Sequence, residues 1–212
     1  MTDQNKIAVD VFNKLAKTYQ DKFMNVDLYK DSFDFFCQNI KNENPEILEI
    51  ACGPGNITKH LLDKNPTLKI LGIDLAPNMI ELAKVNNPTA EFQVIDCRNI
   101  ETLNKKFNAI MCGFCLPYLS KKETSKLFFD ASQLLKSDGL FYLSTMEDDY
   151  SKSTFKKGSS GDEIFMHYYS EDFLKKELIK NHFQIIHLDR KEYFHNEEKT
   201  TDIIIIAQKN FA

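Results

Sequence analysis

Residues 47–61 read ILEIACGPGNITKHL. EILEIAC, residues 46–52, has the apolar run of a buried strand, and ITKHLLDK, residues 57–64, has the spacing of a helix. Between them stand Gly53 and Gly55 around Pro54. Two glycines strip side chains from the turn, so backbone N–H groups can approach a ligand, and the helix that follows adds its positive end. A tight strand-to-helix turn would need the same residues, so the turn by itself leaves both readings open.

The flanking chain decides the fold class. LKILGID, residues 68–74, AEFQVID, residues 90–96, and FNAIMCGF, residues 107–114, read as further strands. APNMIELAKV, residues 76–85, reads as a helix with Pro77 in its first turn. Ser120 and Glu123 form a capping box for the helix KKETSKLFFDASQLLK, which Ser137-Asp138-Gly139 is expected to end before the strand LFYLSTM. Strand–helix–strand alternation implies right-handed crossovers and a mostly parallel sheet covered on both faces.

The ending differs. Ser170 caps a helix over EDFLKKELIK, and two long strands then follow across the short polar link HNEEK. Such a link makes a hairpin, so the last strand is expected to run antiparallel, and its unbroken Ile203–Ile206 run predicts burial on both faces, inside the sheet. The expected architecture is α/β: a Rossmann-like, doubly wound, mostly parallel seven-stranded sheet with an antiparallel C-terminal hairpin strand. Residues 1–212 are expected to form one domain, with a helical cap over 1–44 and a core over 45–212. Within the core, 147–169 is rich in serine, glycine and mixed charge, and reads equally as a surface loop or as a flap over a pocket.

Composition narrows the partners. The net charge is −4 and only Arg98 and Arg190 are arginines, so general nucleic-acid binding is not expected. The first residues carry no apolar signal core, and no apolar stretch reaches the length of a membrane span. Five unevenly spaced cysteines argue against a disulfide framework, and the expectation is a reduced, cytoplasmic protein.

Three successive strand ends carry carboxylates: Glu49, Asp74 and Asp96. In an open parallel sheet, ligands bind beyond those ends, and an acid placed like Asp74 accepts hydrogen bonds from ribose hydroxyls. A dinucleotide fingerprint would need a third glycine where Thr58 stands, and no G-x-x-x-x-G-K-[ST] occurs for a triphosphate. Acids in number and few arginines fit a cationic adenosine derivative better.

In these motifs the chain resembles the class I S-adenosylmethionine-dependent methyltransferases of the small-molecule type, over nearly its whole length. ILEIACGPG is similar to the family's first motif, with Ala51 in place of its first glycine. GIDLAPNMIELAK and FQVIDCRNI resemble the second and third, and LLKSDGLFYLST the segment leading into the fifth strand. The resemblance implies S-adenosylmethionine as cofactor, with S-adenosylhomocysteine as product. It implies cofactor contacts from Glu49, Ala51, Gly53, Gly55 and Gly113, Asp74 on the ribose, Asp96 on the adenine amino group and the Cys97 N–H on the ring. Leu75 and Met79 would pack on the adenine, although Met79 also suits ordinary core. Tyr19, in FNKLAKTYQDKF, would reach the methionine part, or pack as an amphipathic tyrosine.

For the transfer itself, a proton acceptor is needed only for O or N nucleophiles. His167, Glu147 and Asp148 are the candidates, His167 foremost because histidine titrates near neutrality. A structural role for His167 explains it equally well. CLPY, residues 115–118, keeps only the Pro-Tyr half of the motif used by amide- and amino-directed relatives, so Phe114 and Tyr118 are expected to shape an acceptor pocket with His167. Cys112 and Cys115 form C-x-x-C without a second pair, so buried thiols are expected and no metal site. The implied activity is methyl transfer to a small molecule. The alternatives are a protein or RNA acceptor, or binding of the cofactor without turnover.

Overall fold

A computed structural model describes residues 4–158, 160–195 and 198–210. The helices are α1 (Gln4–Phe23), α2 (Lys30–Asn39), α3 (Asn56–Lys64), α4 (Pro77–Asn86), α5 (Lys121–Leu134) and α6 (Glu171–Lys180). The strands are β1 (Glu46–Ile50), β2 (Lys69–Asp74), β3 (Glu91–Val94), β4 (Phe107–Gly113), β5 (Leu135–Met146), β6 (Thr154–Lys157), β7 (Glu163–Met166), β8 (Phe183–His195) and β9 (Glu198–Lys209).

Seven strands form one sheet in the order β3-β2-β1-β4-β5-β9-β8. The five N-terminal strands pair in parallel, and β9 runs antiparallel to both β5 and β8. The isoleucine run explains why β9 lies inside: Ile203, Ile204, Ile205 and Ile206 are all fully buried. Ile203 and Ile205 join Phe128 and Leu174 on one face; Ile204 and Ile206 join Phe33 and Leu61 on the other. Residues 196 and 197 of the predicted link lie outside the described residues.

Most local expectations hold. Ser120 and Glu123 exchange both hydrogen bonds of the capping box, and Ser170 Oγ accepts the Phe173 N–H at the start of α6. Ser137-Asp138-Gly139 does not end a helix. Instead α5 stops at Leu134 and Leu135 already pairs with Phe107 in the sheet. The triplet forms an irregular entry to β5, after which the register shifts to Ala109↔Leu140. Within 147–169 the chain pairs an exposed β6 with a half-buried β7 in a small two-stranded sheet. Asp162, just before β7, holds Lys14 of α1 at 3.0 Å.

The sheet reverses its winding between β1 and β4, which carry connections to opposite sides. At such a point the turns after two adjacent strands splay apart and leave a crevice. Here those turns are Ala51–Gly55 and Gly113–Cys115, and α1 lies across them.

Candidate cofactor-binding cleft

The crevice is lined at its floor by Ala51, Gly53 and Gly113, and along one wall by Asp74 and Leu75. The Asp74 carboxylate accepts the Gly53 N–H at 3.0 Å and the Ala76 N–H at 2.8 Å. One acid thereby fixes both the glycine turn and the entry to α4. Burial pushes the Asp74 carboxyl above its usual value, while these backbone N–H groups pull it back. Gly53 has a φ of +53°, a left-handed value that favours glycine, and a side chain there would point toward the Tyr19 ring 3.8 Å away.

Gly55 does not line the cleft; its need for glycine comes from packing. Its φ is +77°, and a Cβ would stand 2.3 Å from Asn87 Nδ2 and 3.3 Å from the Ala83 Cβ. The same Asn87 amide donates to the Gly55 carbonyl at 2.9 Å, clamping the turn onto α4. Gly55→Ala is expected to cost ~2–4 kcal/mol of stability, from backbone strain plus overpacking. Urea denaturation measures this, and a loss below the cost of an ordinary surface substitution would contradict it.

Glu49 also lies beneath the cleft, not in it. Its side chain is 1% exposed, the Thr58 hydroxyl donates to Oε2, and Oε1 has no hydrogen-bond partner. Burial pushes its carboxyl up to about 8, against the opposing pull of the Thr58 hydrogen bonds. The three strand-end acids therefore do not share one crevice. Glu49 points into the layer between β1 and α3, where Thr58, the residue in place of a third glycine, reaches it.

Asp96 does line the cleft, with Ile95 and Cys97 beside it. Its carboxylate is already engaged. Arg98 donates its backbone N–H at 2.9 Å and its guanidinium to both oxygens at 2.7–3.0 Å. Burial works to raise the Asp96 carboxyl, but the Arg98 contacts outweigh it and hold it below the usual range. Arg98 also reaches Glu123 at 3.2 Å, so the carboxylate is anchored to α5. Cys97 and Cys115 bring their sulfurs to 3.6 Å on this wall. Cys115 raises Cys97, and Cys112 raises Cys115 against the opposing pull of Cys97; with burial, both thiols stand well above their ordinary pKa, so they are poor nucleophiles.

Helix α1 roofs the cleft with Asn5, Ala8, Val9, Phe12 and Tyr19. Tyr19 is pushed up to about 12 by burial and by the Asp74 charge. Phe12 stands edge-on to both Tyr19 and Tyr118, at 5.8 and 5.0 Å. Met79 sits below with Ala16 and Ala76, so it lines the cleft and fills core at once. Asn5, Ala8, Val9, Phe12, Ile95 and Cys115 escape the sequence reading. The available signal was the apolar stripe of α1, which shows a buried face without saying what it covers.

Phe114 and Tyr118 line the far end. Phe114 has a φ of +55°, a strained value for an aromatic residue. Its N–H is held by the Ser144 carbonyl and hydroxyl at 3.1 and 3.2 Å. His167 is not brought to this cleft. Its N–H is tied to the Pro117 carbonyl at 2.8 Å, and its ring stacks on Tyr150 with 5.4 Å between centroids. Burial lowers its pKa, against the opposing charge of Glu123. Glu147 is bound by Arg190 at 2.6 and 2.8 Å, and Asp148 by Lys152 at 2.8 Å, so neither of these bases is free. Among the described residues no lysine, arginine or histidine lines the cleft. Among these same described residues no cluster of three or more His, Cys, Asp or Glu side chains is placed to hold a metal, and no helix is long and apolar enough to cross a membrane.

Residues 47–139 match the family described as "Methyltransferase domain". The chain is 32% identical over 127 residues to a putative methyltransferase of Invertebrate iridescent virus 6, covering 56% of this chain and 47% of the relative. It is 36% identical over 104 residues to a malonyl-[acyl-carrier protein] O-methyltransferase of Acetivibrio thermocellus, covering 47% of this chain and 35% of the relative. The matched region thus spans half or less of these relatives. Among solved structures, magnesium protoporphyrin IX methyltransferase from Synechocystis PCC 6803 with bound S-adenosylhomocysteine superposes with a TM-score of 0.75. That match covers 98% of this chain and all of that one at 15% identity, and so speaks for the fold. Residues 47–139 are thus similar to the methyltransferase-domain family, and the chain as a whole has the fold seen in solved S-adenosylmethionine-dependent methyltransferases.

Proposed function

We propose that the protein transfers a methyl group from S-adenosylmethionine to a small-molecule acceptor. The observation that carries this reading is the Asp74 carboxylate, held by the Gly53 and Ala76 N–H groups in the wall of a cleft that offers no basic side chain among the described residues. Each Asp74 oxygen keeps lone-pair capacity for ribose hydroxyls. Carboxylate walls with no lysine or arginine suit a ligand without phosphates and disfavour a dinucleotide.

In this reading Asp74 holds the ribose, while Leu75 and Met79 pack against the adenine. The Asp96 carboxylate, fixed by Arg98, accepts the exocyclic amino group through a remaining lone pair, and the Cys97 N–H meets the ring. Gly53, Gly113 and Tyr19 face the amino-acid end. The bound cofactor supplies a methyl group on a positively charged sulfur, already a good leaving group. What the chain adds is orientation and exclusion of water by the α1 roof. Phe114 and Tyr118 wall the acceptor side. His167 would reach an acceptor only through rearrangement around Tyr118, so positioning, not proton abstraction, is the main contribution.

The same reading takes residues 1–212 as one domain, with 1–44 as its cap, acting in the cytoplasm without nucleic acid. Calorimetric titration with S-adenosylmethionine, S-adenosylhomocysteine and NADH tests the cofactor. Binding of the two adenosyl sulfur compounds alone is expected, and binding of NADH instead would overturn the reading. Turnover, once an acceptor is in hand, is expected to survive a chelator. Loss in EDTA with recovery on adding a divalent ion would contradict metal independence.

A further inference from the structure

Next to the cleft, on the face of the sheet covered by α2, lies a buried charge that the cofactor reading does not use. Asp202 opens the inner part of β9, opposite Met146 at the carboxyl end of β5 and Lys191 of β8. It is fully buried. The Tyr29 hydroxyl donates to Oδ2 at 2.7 Å, and Tyr193 lies within electrostatic reach of the carboxylate. The second oxygen, Oδ1, is buried without a hydrogen-bond partner.

Such an atom is costly, because a desolvated acceptor without a donor loses its water and gains nothing. Natural structures keep few of them, and each calls for an explanation. Among the described residues no cation supplies one: Lys191, opposite in β8, is committed to Asp189 at 2.8 Å. Burial raises the Asp202 carboxyl to about 6, with the two tyrosines opposing, so it still carries charge at neutral pH. The surroundings are aromatic. Tyr29 and Tyr193 flank the carboxylate, and Tyr168, from the segment after β7, lies within electrostatic reach of Tyr193. A carboxylate among tyrosines is the chemistry that receives a protonated amine, by ion pairing and by cation–π attraction.

The group also stands beside the acceptor wall. The Tyr29 ring packs edge-on against Phe114, with centroids 5.0 Å apart, and Phe114 lines the cleft. Phe114 is the residue held in a strained backbone conformation at the end of β4.

We propose that Asp202, with Tyr29 and Tyr193, is the recognition site for the methyl acceptor, and that the acceptor is a small molecule bearing a protonated amine. This rests on the methyltransferase reading above. The amine seats on Oδ1, past the Phe114 ring, and the atom to be methylated is left at the Phe114–Tyr118 end of the cleft. Entry therefore displaces the Phe114 ring. Asp202, Tyr29 and Tyr193 are binding residues here, touching the acceptor away from the reacting atoms.

The test is a calorimetric titration of the full chain, with and without saturating S-adenosylhomocysteine, using three matched probes: tyramine, 4-ethylphenol and 4-hydroxyphenylacetate. The amine is expected to bind at least tenfold tighter than the phenol, and the carboxylate not at all. Asp202→Asn is expected to erase that preference while leaving S-adenosylhomocysteine affinity within twofold. If Asp202→Asn does not fold, Tyr29→Phe, which keeps the ring against Phe114, is expected to weaken amine binding three- to tenfold. No binding of the amine, equal binding of amine and phenol, or unchanged amine binding in a folded variant each overturns the proposal. Failure of S-adenosylhomocysteine itself to bind the unaltered protein would instead overturn the cofactor reading, and the titrations without it would still decide the amine site.

Discussion

Asp74→Ala is expected to weaken S-adenosylmethionine binding by roughly tenfold or more, corresponding to ~1–3 kcal/mol for lost hydrogen bonds to a charged group. Two effects act together. The ribose hydroxyls lose their acceptor, and the Gly53 and Ala76 N–H groups lose the carboxylate that fixes the glycine turn and the first turn of α4. Asp74→Asn keeps one acceptor oxygen and is expected to fall between the two. Calorimetry on protein shown to be folded by circular dichroism measures the effect. Full affinity in a folded Asp74→Ala protein would place the ribose elsewhere.

Glu49→Gln is expected to stabilise the protein at high pH and do little at low pH. The Glu49 carboxyl rises from 4.5 to about 8 on folding, chiefly through burial. Between those values the folded chain holds a proton that the unfolded chain has released. The associated stability is fully present below pH 4.5 and is lost as the pH climbs toward 8. At ~1.4 kcal/mol per pKa unit the loss is on the order of 5 kcal/mol. Glutamine removes this titration and leaves an oxygen to accept the Thr58 hydroxyl. Urea unfolding at pH 5 and pH 9 compares the two proteins. The variant is expected to gain a few kcal/mol on its parent at pH 9 only. A difference that does not change with pH would show that Glu49 is ionised in the fold.

These two carboxylates show where sequence reading reaches its limit. Both end or nearly end successive strands, and by position alone both face the same edge of the sheet. The two share one face of the sheet, because Glu49 pairs with Gly72, two residues before Asp74; Glu49 is the deeper of the two and lies under α3, where a threonine nine residues later meets it. Asp96 stands at the expected strand end, yet it carries Arg98 on its carboxylate. His167 had the right chemistry and a local sequence that resembles a substrate-facing segment, but one backbone hydrogen bond to Pro117 turns it onto Tyr150.

What the sequence by itself determined is what depends on neighbours a few residues away or on bulk burial. The alternation of apolar runs set the parallel sheet, Ser120 and Glu123 set the start of α5, and the isoleucines at 203–206 set an interior antiparallel strand. The glycine turn and its Asp74 partner were legible because a repeated strand-turn-helix unit places them. Only the tertiary structure decided the roof of the cleft, the pairing of Asp96 with Arg98, the early entry of Leu135 into β5, and the approach of Tyr29 to Asp202 across 173 positions. Those contacts join residues whose chemistry is common and whose separation along the chain carries no signal. They exist because the packed helices and sheet leave each buried polar group few partners, and only folding brings those partners within reach.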